Sequence, residues 1–396
     1  MIRALIIVSL LTFSLFAKDK VDRSISHKTF ESVSVVQKLL SEDNATQALD
    51  KLHALYKSID NNRIRPYEKA FVKRMFAYVY ISINEYKKAI IYFKLAYEYK
   101  LFLPKEQQDL LKNIAQLSMA LSDYKSAIKY YKLYIEASNI KKPEIYISLA
   151  SAYNEIDKID SAIKNVQKAI EISKEPKLSW YEMLLALFYA NENYVECIKI
   201  SESIIQIYGV KKEFLFTLSS LYQYTNNEKK ALSTLELAYD MDYFIKKESY
   251  IQLAYMQFSA GLPHKSVTTL EDGIKKAIVL KNKESLRLLA DSYSYAKEDI
   301  KAIKAYKELA TITNDGDVYA QIAQFYLNLE EYKQAINYFN KAINSESLKN
   351  VGSVYLLLGI THYELKDKKN AKEAMLMALT YDNTKTSAKE WLKFLK

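Results

Sequence analysis

The chain is 396 residues long and holds only six Gly and five Pro against 34 Tyr, the make-up of helices joined by short loops. One cysteine, Cys197, excludes an internal disulfide, and six scattered glycines exclude a phosphate-cradling loop. The formal charge of +10 is uneven: residues 18–140 hold 21 Lys and Arg against 14 Asp and Glu, whereas residues 141–396 hold 35 against 33. An electrostatic partner is therefore expected at the N-terminal third. The lysines are dispersed over outward helix positions, which argues against nucleic acid and leaves acidic protein segments, anionic lipid surfaces or a merely solvated face.

Residues 1–17 place Arg3 before an apolar run from Ala4 to Phe16, then Ala17 ahead of Lys18, Asp19 and Lys20. That layout predicts an export signal, because the run is shorter than the ~20 residues a bilayer crossing needs. The expectation is a periplasmic protein of a Gram-negative bacterium with no integral membrane span after cleavage. No Cys stands directly after the cleavage point, where Lys18 lies, so a lipoprotein is not expected. Residues 18–28 read as an N-terminal extension.

From residue 29 to residue 383 a pattern repeats. Its best copy, VYAQIAQFYLNLEEYKQAINYFNKAI, begins at Val318 and reads as two short amphipathic helices joined by a tight turn, with small residues at Ala323, Ala335 and Ala342 and rings at Tyr319, Tyr326 and Phe339. A small residue opens each second helix: Ala48, Ala89, Ala127, Ala162, Cys197, Ala231, Ser266, Ala302, Ala335 and Ala371, at gaps of 33 to 41 residues. Units two and nine agree at five positions (Ala77, Tyr80, Ala89, Phe93, Ala96; Ala323, Tyr326, Ala335, Phe339, Ala342), and units one and five drift most. A period near ~34 with small residues at helix crossings resembles the tetratricopeptide repeat. The fold expected is all-α: a solenoid of about ten such helix-turn-helix units forming one right-handed superhelix.

Punctuation follows the period. Pro66, Pro104, Pro143 and Pro176 fall between units, and Pro263 lies with Gly261 in the turn of the seventh, where the pair is read as imposing a fixed turn. Ile59 to Pro66 forms a polar linker between the first two units. Gly273 stands where Ala is usual and allows a closer helix crossing; Asp315 and Gly316 read as a helix start. Residues 384–396 carry apolar spacing through Ala388, Trp391, Leu392 and Leu395, which predicts a C-terminal capping helix.

Catalytic chemistry finds no constellation. The four histidines, His27, His53, His264 and His362, show no metal-ligand spacing, and no HExxH, GxSxG or P-loop pattern occurs. His362 reads as a core or boundary imidazole, and Cys197 as a packing residue in place of Ala. No enzyme activity, cofactor or metal is expected. In repeats of this kind the first helices present a groove on the side away from the second helices. In this register the candidates are Arg74, Tyr78, Lys112, Gln116, Asn154, Tyr189, Gln223, Tyr255, Arg287, Asp291 and Gln324. Polar with interspersed Tyr, they suit an extended protein or peptide partner more than an apolar helix. Ser151 and Ser179 stand where a carboxylate clamp would need amide or cationic groups, which disfavours chaperone-tail recognition.

The segments SHKTFESV (from Ser26), LSSLY (from Leu218), AGLPHKSVTTLEDGI (from Ala260), NDGDVYAQIAQFY (from Asn314), LLLGITHYEL (from Leu356) and AKEWLKFL (from Ala388) resemble a family of exported tetratricopeptide proteins associated with TonB-type energy-transduction systems. That resemblance implies a non-enzymatic periplasmic scaffold with components of a TonB system as partners, serving outer-membrane uptake of scarce solutes such as iron complexes. A scaffold for another envelope machine, such as a flagellar motor, a secretion apparatus or cell-wall assembly, would use the same groove.

Overall fold

A computed structural model describes residues 22–60, 65–138 and 141–395. The signal segment 1–17, residues 18–21 of the extension and residues 61–64 of the linker lie outside them. Among the described residues there are 21 α-helices and no strand. They fall into two compact bodies, one ending at Gly209 and the other beginning at Val210.

The first body holds five helix pairs: α1 (His27–Ser41) with α2 (Ala45–Asp60), α3 (Pro66–Ser82) with α4 (Tyr86–Glu98), α5 (Pro104–Ala120) with α6 (Tyr124–Ala137), α7 (Pro143–Asn154) with α8 (Ile159–Ile172), and α9 (Leu178–Ala190) with α10 (Tyr194–Tyr208). The second holds five more and a last helix: α11 (Lys212–Tyr224) with α12 (Glu228–Asp240), α13 (Lys247–Ser259) with α14 (Pro263–Lys275), α15 (Lys283–Tyr295) with α16 (Asp299–Thr313), α17 (Gly316–Asn328) with α18 (Tyr332–Ile343), α19 (Val351–Glu364) with α20 (Lys368–Ala378), then α21 (Lys385–Phe394). Each first helix packs on its own second helix, and within each body the second helices pack on the next first helix. The last helix caps α20, burying Ala388 and Leu395.

One turn joins every pair. Asp43, Asn84, Ser122, Asp157, Glu192, Asn226, Gly261, Lys297, Glu330 and Lys366 all take a left-handed conformation, with φ between 54° and 74°. The N–H of the following residue donates to a carbonyl five residues back, as Glu85 does to Tyr80 at 2.9 Å and Glu331 to Tyr326 at 2.8 Å. This closes the first helix with the paired bonds that satisfy its orphan carbonyls. A turn does stand at Gly261 and Pro263, as the sequence suggests, but it is not peculiar to glycine: nine repeats make the same turn with a side chain at that position. Pro263 occupies the first helical position of α14, where its missing N–H costs nothing, as Pro66, Pro104 and Pro143 do in α3, α5 and α7.

The turn sets the register of the second helix. The small residue of each repeat lies five residues beyond the left-handed one, is the fourth residue of its second helix, and is completely buried in all ten repeats, Cys197 and Ser266 included. One helical turn further, Leu52, Phe93, Tyr131, Val166, Ser201, Leu235, Leu270, Tyr306, Phe339 and Met375 are all buried too. The fifth repeat, drifted in sequence, thus keeps the geometry of the others. Its irregularity is chemical: Ser201 fills a position held elsewhere by a ring or a large apolar group in most repeats, and its buried hydroxyl has no hydrogen-bond partner. The glycine in α14 acts as expected, since a Cβ on Gly273 would lie 2.7 Å from Val279 Cγ2 and 2.9 Å from Tyr250 Cδ1.

Candidate functional site

Neighbouring first helices touch directly in both bodies, α1 with α3, α13 with α15 and α17 with α19. The eleven candidates occupy three equivalent steps on the first helices of their own repeats. Arg74, Lys112 and Arg287 stand three residues before the inner small residue of their helix (Ala77, Ala115, Ala290). Tyr78, Gln116, Tyr255, Asp291 and Gln324 stand one residue after the equivalent position, and Asn154, Tyr189 and Gln223 four after it. Spacings of three, four and seven residues share a face. Six of them, Gln116, Asn154, Tyr189, Gln223, Tyr255 and Gln324, are exposed, and the other five are half-buried.

Several half-buried candidates are committed within the protein. Arg74 Nη1 meets Glu106 Oε1 of the next first helix at 2.7 Å, and its guanidinium lies over the rings of Phe71 and Phe102 at 5.0 and 4.6 Å. Tyr78 packs edge-on against Phe93 with centroids 5.3 Å apart, and burial raises its hydroxyl pKa. In the second body Arg287 Nη2 meets Asp315 Oδ2 at 3.3 Å, so Asp315 both starts α17, accepting from the Asp317 N–H, and ties α15 to it. Asp291 accepts from the Tyr306 hydroxyl, whose pKa is pushed up first by burial and then by that carboxylate. These four side chains brace the helices that carry them. Lys112 is also half-buried, on α5.

The exposed candidates keep polar and aromatic groups at the surface. Gln223 donates through Nε2 to Met256 Sδ and accepts on Oε1 from Gln252 Nε2, both at 3.3 Å, across α11 and α13. Tyr189 packs edge-on with Tyr194 at 5.7 Å. Sequence reasoning passes over Gln252, Phe258 and Tyr295, which lie beside the chosen positions. Gln252 and Phe258 stand three residues to either side of Tyr255 on α13, and that spacing is the signal that could have found them. His362 proves a boundary imidazole, its side chain mostly buried with Nδ1 3.3 Å from Asp367 Oδ2. Cys197 is enclosed, and burial raises its thiol pKa. Among the described residues no group of three His, Cys, Asp or Glu is placed to hold a metal, and no helix is long and apolar enough to cross a membrane.

With one left-handed turn and one buried ladder, the described residues form an all-α solenoid of ten tetratricopeptide-like helix pairs and a capping helix. Four stretches, residues 75–101, 143–176, 316–347 and 352–385, match the tetratricopeptide repeat family. Similar solved structures include the C-terminal part of a tetratricopeptide repeat-containing protein from Cytophaga hutchinsonii, 18% identical with a TM-score of 0.38, covering 70% of this chain and 97% of that one. The MamA protein is 17% identical with a TM-score of 0.38, over 44% of this chain and 94% of that one. YrrB, described as a tetratricopeptide protein with an unusual peptide-binding site, is 18% identical with a TM-score of 0.35, over 46% and 90%. No curated protein matches the sequence at a significant level.

Proposed function

We propose that the chain is a non-enzymatic scaffold that holds extended protein segments against its first helices, in the periplasm, as an accessory of a TonB-type outer-membrane transport system. The observation that carries the interaction role is the set of exposed Gln and Tyr side chains at equivalent steps of the first helices within each body. Such rings offer large contact area at low entropic cost, and amides adapt their hydrogen bonds to a peptide backbone. The sequence of the first 17 residues supports export, and the six segments similar to the TonB-associated family support the particular system. Deletion of the gene is expected to impair growth on iron supplied only through TonB-dependent receptors while leaving motility and envelope integrity intact. Normal growth with a motility or envelope defect would assign the scaffold to another machine.

A further inference from the structure

The second body carries a run of uncharged side chains across three successive first helices. Tyr255 of α13 is 62% exposed and Tyr295 of α15 is 71% exposed. Between them Phe258 meets the Tyr295 ring edge-on, with centroids 5.0 Å apart. Next to Tyr255 on the other side, Gln223 of α11 is joined to Gln252 and Met256 of α13 through its side-chain amide. Two charges on the α15 face beside this strip are engaged: Arg287 by Asp315, and Asp291 by the Tyr306 hydroxyl.

We propose that this strip binds a proline-rich segment in the polyproline II conformation. The inference rests on the reading of the first helices as the partner surface and specifies the chemistry of the partner. Charge complementarity is the first argument. None of the strip's own side chains, Gln223, Gln252, Tyr255, Phe258 and Tyr295, carries a formal charge, so an acidic or basic peptide finds no counter-ion among them, whereas pyrrolidine rings match them. Hydrogen bonding is the second. A polyproline II chain has no internal hydrogen bonds and leaves its carbonyls open, and each Gln amide has two N–H donors, of which the structure uses one on Gln223 and one on Gln252. Flat aromatic rings beside such donors are what proline-reading grooves use.

Dimensions are the third argument. A polyproline II helix rises about 3.1 Å per residue with three residues per turn, or roughly 9 Å per turn, and packed helices lie about 8–10 Å apart. The packed pair α13 and α15 thereby meets successive turns of the ligand, and Gln223 of α11 extends the strip beside Gln252. An amphipathic helix would need a continuous apolar groove, and an added strand would need a sheet edge; the polar Gln side chains interrupt the first, and the described residues contain no strand for the second.

The test uses the full chain and fluorescein-labelled nonaproline in an anisotropy titration, with a Gly-Ser peptide of equal length as control, and Tyr255→Ser and Tyr295→Ser variants checked for helicity by circular dichroism. Nonaproline is expected to bind, the control not to bind, and each variant to lose roughly tenfold in affinity. Absence of nonaproline binding, or binding that both variants retain, overturns the proposal. A random-peptide display selection on the same protein separates this from failure of the scaffold reading. Enriched peptides that lack proline and lose binding in Tyr255→Ser overturn the proline chemistry alone, and no enrichment overturns both.

Discussion

Glu106 holds Arg74 and the start of its own helix with the same carboxylate: Oε1 meets Arg74 Nη1 at 2.7 Å, and Oε2 accepts from the Leu103 N–H at 3.1 Å. Arg74 is 11% exposed in its side chain, and its Nε already lacks a partner. Glu106→Ala would remove the cap and leave the guanidinium without its counter-charge between Phe71 and Phe102. We expect a loss of about 2 kcal/mol in urea unfolding. Adding Arg74→Met, which keeps the packing and removes the stranded charge, should recover part of that loss; a double variant no better than the single would refute the pairing.

Glu68 stands at the equivalent position one repeat earlier, nine residues before Ala77 as Glu106 is before Ala115, and it is 2% exposed. Burial alone would raise its pKa. Hydrogen bonds from Ser26 and Thr29, with Arg65 nearby, outweigh burial and hold it below the ordinary carboxylate value of 4.5. A depressed pKa means that this contribution to stability is complete above pH 4.5 and is lost as pH falls through the lowered value. Denaturant midpoints measured from pH 6 downward should therefore fall less steeply in Glu68→Gln, which starts less stable, than in the natural protein.

The left-handed turn costs more for some residues than for others. Lys297 and Glu330 hold φ of 61° and 60°, where a side chain is disfavoured and Asn or Asp is better tolerated. Lys297→Gly and Glu330→Gly are expected to raise stability by about 0.5–1 kcal/mol, whereas Asn84→Gly should change it little. At Gly261, with φ of 74° and open space around an added Cβ, Asn should be nearly neutral and Val should cost about 2 kcal/mol. Thermal melts of these variants rank them directly.

Ser201 offers the opposite case, a buried hydroxyl with nothing to bond. Ser201→Ala is expected to stabilise the first body by about 1 kcal/mol, because the desolvated hydroxyl is removed and the cavity left is small. An unchanged or lower melting temperature would mean that the hydroxyl finds a partner in solution.

The buried ladder could be read from the chain because packing admits little but small side chains where helices cross, so Ala48 through Ala371 announce themselves. The turn could not. Asp43, Ser122, Glu192 and Lys366 share no side-chain chemistry, and their common geometry comes from backbone bonds that any of them can make. The candidate site divides in the same way. Helical spacing places Tyr255 and Gln223 on the exposed side of their helices, but it cannot tell that Arg74 and Arg287 are bonded to carboxylates 32 and 28 residues further along, since that depends on how repeats stack. Tyr295 escaped notice because it lies at the last residue of α15 and is drawn to the strip by Phe258 of the preceding repeat.

The sameness of the ten turns bears on how such a chain can change its length. Excising the residues from just after Lys297 through Glu330 would join two segments whose backbones arrive and depart alike, with Leu327 and Ala302 giving way to their counterparts in the adjoining units. Whole units can thus be gained or lost by recombination without redesign of the join. The number of exposed first-helix steps then becomes a quantity that can change one unit at a time.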